Sequence, residues 1–178
     1  MFTLVVGGAA SGKSEYAEQL ILRAGALPRY YVATMEPFGA EARARMARHR
    51  VLRAQKRFET IECPVGLSRV LLPARGAALL ECLSNLAANE LYSPAGAGGE
   101  QAALAAVVDG VESLRRQCEA LVVVTGEVFS GGSAYAGDTG TYLRVLAAAN
   151  RALAARADAV CEVACGLPRY YKGEGAAL

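Results

Sequence analysis

Phe2-Thr3-Leu4-Val5-Val6-Gly7-Gly8-Ala9-Ala10-Ser11-Gly12-Lys13-Ser14 joins an apolar run to a glycine-rich loop. Its first five residues are apolar or β-branched, which predicts a strand buried on both faces. The run Gly7-x-x-x-x-Gly12-Lys13-Ser14 fits the P-loop pattern at every specified position. Glycines let the backbone turn tightly and aim successive N–H groups at phosphate oxygens. The helix that opens near Lys13 adds its positive N-terminal dipole at the same place. Lys13 supplies a point charge for the outer phosphates, and the Ser14 hydroxyl is a ligand for Mg²⁺. A chance glycine-rich turn is the plain alternative. The apolar strand before the loop and the amphipathic spacing of Ala17, Leu20 and Ile21 after it argue against that.

Outward from the loop, strands and helices alternate. Strands are expected at Tyr30–Thr34, Phe58–Ile61, Ala77–Cys82, Leu121–Thr125 and Asp158–Ala164. Helices are expected at Lys13–Ala24, Glu41 to about Gln55, Val65–Leu72, Leu83 to about Tyr92, Gln101–Glu119 and Thr141–Arg156. Ser93 to Gly99 reads as a surface loop, and Gly126–Gly140 as a glycine-rich loop. The expected fold is α/β: one P-loop domain over residues 1–178, its mostly parallel sheet covered by helices on both faces.

Composition narrows the function classes. Of 178 residues, 53% are hydrophobic and 20% charged, ordinary for a globular protein with a real core. The net charge of +2 is spread along the chain, which argues against a nucleic-acid partner. Phe2–Val6 reads as a strand rather than a leader, and no stretch approaches the roughly 20 apolar residues of a membrane span. Cys63, Cys82, Cys118, Cys161 and Cys165 are scattered among apolar neighbours, as expected for reduced thiols in a cytoplasmic protein. With one histidine and no Cys-x-x-Cys pair, a structural zinc site is not expected.

A P-loop needs a carboxylate near its metal. Glu81, at the end of Leu79-Leu80-Glu81-Cys82, is the preferred candidate, and Glu127 after Val122-Val123-Val124-Thr125 is the second. Capping of the following helix would be the ordinary role of such a strand-end carboxylate. The single histidine, His49, lies among Arg45, Arg48, Arg50 and Arg53. Those cations favour the neutral, nucleophilic imidazole and would attract a triphosphate. A histidine that attacks phosphorus forms a phosphoramidate and divides one hard transfer into two easier ones.

Taken together, these residues resemble the bifunctional adenosylcobinamide kinase/adenosylcobinamide-phosphate guanylyltransferase family of cobalamin biosynthesis. The loop Gly7–Ser14 is similar to that family's Gly-Gly-Ala-Arg-Ser-Gly-Lys-Ser. Tyr31-Val32-Ala33-Thr34, Arg45-Met46-x-x-His49-Arg50-x-x-Arg53 and Phe58-x-Thr60-x-Glu62, with Phe58 where the family has Trp, resemble its segments in order. So do Leu80-Glu81-Cys82-Leu83-Ser84 with Asn89, Val124-Thr125-x-Glu127-Val128 and Asn150-x-x-Leu153-Ala154-x-x-Ala157-Asp158. The helix that carries His49, with Glu62 after it, makes the resemblance specific, since many kinases share the P-loop.

The resemblance implies a RecA-like fold, a homotrimer and two reactions. A nucleoside triphosphate (ATP or GTP) phosphorylates the hydroxyl on adenosylcobinamide's aminopropanol arm. His49 then takes GMP from GTP and passes it to adenosylcobinamide phosphate. It implies a nucleotide site of Gly7, Gly8, Ala9, Ala10, Ser11, Gly12, Lys13, Ser14, Ala33, Thr34, Met35, Arg50, Arg53, Glu62 and Glu81. His49 and Lys13 would be catalytic, and Ser14 and Glu81 would serve Mg²⁺. A kinase of another small molecule and a GTP-binding regulatory module are the competing expectations. Some positions depart from the family pattern: Ala10 stands for Arg, Gly126 for Asn, Phe129 for Gly, and Leu143-Arg144 for Arg-Asp. The expectation is therefore that guanylyl transfer is kept while the kinase step, or the handling of the corrinoid, is altered or lost.

Overall fold

The computed structural model describes residues 1–36, 47, 55–128 and 137–173. Its centre is a seven-stranded sheet in the order β3-β2-β4-β5-β1-β6-β7. The strands are β1 (Phe2–Gly7), β2 (Arg29–Ala33), β3 (Phe58–Glu62), β4 (Gly76–Glu81), β5 (Cys118–Gly126), β6 (Ala159–Ala164) and β7 (Leu167–Lys172). The first six run parallel, and β7 returns antiparallel on the edge beside β6.

Successive strand side chains point to opposite faces, so the unbroken apolar runs fill two cores at once. Leu4, Val32, Leu80 and Val123 face one core, and Val5, Tyr31, Leu79 and Val122 face the other. The first core is closed by α2 (Leu83–Tyr92), α3 (Glu100–Gln117) and α4 (Gly137–Arg156). Among the described residues α1 (Lys13–Arg23) covers the second face, through Tyr16, Ala17, Leu20 and Ile21. Each fully buried Leu or Ile contributes about 1.5–3 kcal/mol relative to exposure, and strands and helices both supply such side chains to the two cores.

Several boundaries differ from expectation. The helix expected at Val65–Leu72 is a single 3₁₀ turn, Leu67–Arg69. The chain around it is instead held by side chains: Gln117 accepts from the Leu72 N–H and donates to the Val70 carbonyl. The helix expected from Thr141 starts at Gly137, inside the region read as a glycine-rich loop; residues 129–136 of that loop lie outside the described residues. The strand β7 was not expected, because Leu-Pro-Arg-Tyr-Tyr-Lys alternates weakly and holds a proline, which only an edge strand tolerates. The helix expected from Glu41 to Gln55 lies outside the described residues, apart from Ala47 and Gln55, both helical.

Candidate functional site

The loop between β1 and α1 is built by close approaches that only glycine permits. A Cβ on Gly7 would lie 2.5 Å from Ser11 Oγ and 2.8 Å from the Val163 carbonyl oxygen. Gly12 has φ 88°, and a Cβ there would meet Gly166 Cα at 3.0 Å. Lys13 Nζ donates to the Gly8 carbonyl at 2.9 Å, which folds the lysine back over the loop. The N-terminus of α1 has no side-chain cap beyond a 3.4 Å bond from the Lys13 N–H to Ser11 Oγ. Its free N–H donors face an open concavity of about 320 Å³ lined by Ala10, Ser11, Gly12, Lys13, Ser14 and Glu15. Unsatisfied helix N–H groups, a dipole end and an ammonium make this an anion site.

Glu81 reaches the loop from β4, across the intervening β5. Its carboxylate accepts from the Ser14 hydroxyl on one oxygen and from the Tyr31 hydroxyl on the other, the latter at 2.5 Å. A serine hydroxyl and a carboxylate side by side are hard oxygen donors of the kind Mg²⁺ prefers, and its other positions suit water and phosphate. The residues therefore fit Mg²⁺. Glu127 stands at the end of β5, where its N–H donates to the Gly7 carbonyl at 3.0 Å.

Of the remaining expected residues, Ala33, Thr34, Met35 and Glu62 gather at the same end of the sheet. Ala33 pairs in register with Glu62 on one side and Glu81 on the other. Two strand spacings thus separate Glu62 from Glu81 along the sheet, about 10 Å. Thr34 is buried and clamps the next strand: its hydroxyl accepts from the Cys82 N–H and donates to the Cys82 carbonyl, both at 2.8 Å. Met35 is half-buried just beyond it. Burial is the main reason the Cys82 thiol is pushed up, opposed by the N–H groups of Asn85 and Ser84 and reinforced by Glu81. His49, Arg50 and Arg53 lie outside the described residues.

Two contributors were not expected from sequence. Tyr31 is one residue of an apolar strand, and nothing local says that its hydroxyl reaches Glu81, fifty residues on. Gly166, in the turn between β6 and β7, donates its N–H to the Ser11 carbonyl at 2.8 Å. Its signal was the Cys165-Gly166 pair after an apolar strand, a turn type glycine favours.

The same chain matches known proteins along its length. A family model described as CobU, cobinamide kinase / cobinamide phosphate guanyltransferase, matches residues 3–170. The bifunctional adenosylcobalamin biosynthesis protein CobP of Pseudomonas aeruginosa is 31% identical over 179 residues, covering 98% of this chain and 99% of that protein. CobU of Salmonella typhimurium, of the same description, is 32% identical over 180 residues, covering 94% and 97%. The solved structure of the RadB recombinase aligns with a TM-score of 0.47 and 18% identity, over 90% of this chain and 73% of that one. With its family matched from the first strand to the last, this chain belongs to the cobinamide kinase / cobinamide phosphate guanyltransferase family.

Proposed function

We propose that this chain is a two-step transferase of cobalamin biosynthesis: it phosphorylates adenosylcobinamide and then guanylylates the resulting phosphate. The observation that carries the reading is the convergence of Ser14 and Glu81 beside an uncapped helix N-terminus, in a chain whose family match spans residues 3–170.

In the first step the acceptor hydroxyl oxygen bonds to the γ-phosphorus and its proton passes to solvent. The bridging P–O bond breaks, and the nucleoside diphosphate leaves. The loop N–H groups and Lys13 hold and neutralise the departing phosphates. In the second step a nitrogen of His49 bonds to the α-phosphorus of GTP as pyrophosphate leaves along the same loop. A phosphate oxygen of adenosylcobinamide phosphate then displaces the histidine, giving adenosylcobinamide-GDP and free imidazole. Bound Mg²⁺, held by Ser14 and Glu81, would supply further neutralisation of the phosphate charge. Ala33, Thr34, Met35, Arg50, Arg53 and Glu62 complete the nucleotide site in this reading. The enzyme works in the cytoplasm as a homotrimer; reduced, free cysteines agree with the compartment, and no helix among the described residues is long and apolar enough to cross a membrane.

The kinase step is where this chain differs. Ala10 offers only a methyl group to the loop, and Arg144 is paired with Glu100, at 2.9 Å and 3.1 Å. Separation of corrinoid products after incubation with ATP, GTP and Mg²⁺ tests both steps. Adenosylcobinamide-GDP formed readily from the phosphate, with slower phosphorylation of adenosylcobinamide, is the expected result. Failure to convert either acceptor overturns the reading, and equal efficiency in the two steps overturns the kinase difference.

A further inference from the structure

A groove of about 240 Å³ opens between α2 and α4, lined by Ala88, Tyr92, Asp138, Thr139 and Tyr142. It lies at the phosphate-loop end of the sheet. Leu83 follows directly on Glu81-Cys82, Asn89 Nδ2 donates to the Thr34 carbonyl at 2.8 Å, and Ser93 donates to the Glu36 carboxylate at 2.7 Å. Both ends of α2 are thus tied to residues at the carboxyl ends of β2 and β4.

The groove is wired to the loop. The Tyr142 hydroxyl bonds Ser84, Ser84 Oγ accepts from the Gly126 N–H at 2.8 Å, and Gly126 pairs in register with Gly7. Cys82 lies within electrostatic range of both Lys13 and Tyr142. On the outer wall, Tyr92 is 49% exposed, and its hydroxyl is spent on the Asp138 carbonyl. The Asp138 and Thr139 side chains are exposed.

We propose that this groove seats the hydroxyl-bearing arm of the acceptor, with the macrocycle outside it; the claim rests on the transferase reading above. Place, size and chemistry agree. In open α/β sheets ligands bind outside the carboxyl ends of the strands, and the nucleotide already claims the loop. The nucleophile must then enter in line from beyond the terminal phosphate, and α2 and α4 follow the carboxyl ends of β4 and β5 in the chain. The volume falls below the roughly 300–1,000 Å³ of a whole small-molecule site, so it suits a short arm and not a corrin ring. Two tyrosine rings wall an aliphatic chain, while the Asp138 carboxylate and the Thr139 hydroxyl accept hydrogen bonds from its amide and hydroxyl protons.

Filling the groove tests this. Ala88→Leu adds bulk to the floor without disturbing helix propensity, and Tyr92→Ala removes a half-exposed wall, so one variant survives if the other folds poorly. Steady-state rates are measured with the corrinoid acceptor and the nucleotide varied in turn. The expected result is an acceptor KM raised about tenfold in Ala88→Leu, with the nucleotide KM within about twofold of wild type. An unchanged acceptor KM, or both KM values rising together, overturns the subsite. A wild-type protein that turns over neither corrinoid acceptor overturns the transferase reading, and the subsite falls with it.

Discussion

Glu81 holds two hydroxyl groups at once, Ser14 on one oxygen and Tyr31 on the other, and the pair fixes the plane of its carboxylate. An ion or a metal-bound water then meets a preset acceptor, so no rotamer freedom is lost when it arrives. Tyr31→Phe removes one of the two anchors and leaves the aromatic packing against Phe58 in place. The expected result is a kcat reduced about tenfold, equivalent to about 1.4 kcal/mol, beside a stability loss of about 1 kcal/mol for the hydrogen bond removed. Ser14→Ala removes the hydroxyl donor, and nucleotide turnover should fall by at least about a hundredfold, with the Mg²⁺ concentration dependence flattened. Initial rates over a Mg²⁺ series check both variants. Lys13 and Ser14 were legible in the sequence because the loop's chemistry is written into eight adjacent residues. Glu81 was legible only as one of two carboxylates, and Tyr31 not at all, because strand order decides which strand end faces the loop.

Among the elements, the β6–β7 hairpin matters most beyond its size. Its turn donates Gly166 N–H to the Ser11 carbonyl, and its second strand places Tyr170 against Tyr16 of α1, hydroxyl to hydroxyl at 2.7 Å. Burial and that bond push the Tyr170 phenol well above its ordinary range. The hairpin therefore braces the phosphate loop from below and the following helix from the side. Gly166→Ala tests the brace cleanly. A Cβ there meets nothing within 4 Å, but φ is +79°, so the cost of about 1–2 kcal/mol falls on the turn's backbone. A several-fold rise in nucleotide KM is expected, and calorimetry of Tyr170→Phe should show a loss of about 1 kcal/mol. A second element is pinned by charge. Glu90, 2% exposed at the end of α2, accepts from the Gly66 N–H at 2.6 Å and the Ala97 N–H at 3.0 Å. Glu90→Ala orphans two backbone donors, which costs about 3 kcal/mol and lowers Tm by about 6–12 °C in a chain of this size. The hairpin left only a turn signal in the sequence, Cys165-Gly166, and the Glu90 staple left none. One is a proline-bearing edge strand, and the other joins turns that periodicity does not see.

For the molecule as a whole, the order of elements was legible because parallel strands buried on both faces leave unbroken apolar runs, each followed by a helix. The covering of the sheet was less so, since three described helices share one face and α1 lies on the other. Burial also sets the alkaline limit of the fold. It pushes the Cys63 and Cys161 thiols up to about 11 and Cys118 to about 12, from an ordinary 9.0. Below pH 9 these thiols are protonated in both folded and unfolded chains, and stability does not depend on them. Above it the unfolded chain loses protons that the folded chain keeps, so stability falls as pH rises from about 9 towards 11–12. A Tm flat from pH 8 to pH 11 contradicts this.

Covalent labelling shows whether the phosphate loop and His49 act on one nucleotide. The protein is incubated with Mg²⁺ and GTP carrying ³²P at the α-position, then denatured. Protein-bound label is expected that is lost in acid, survives alkali, is absent from His49→Asn and is strongly reduced in Ser14→Ala. Absence of label from wild-type protein that still binds GTP, or label undiminished in His49→Asn, contradicts it.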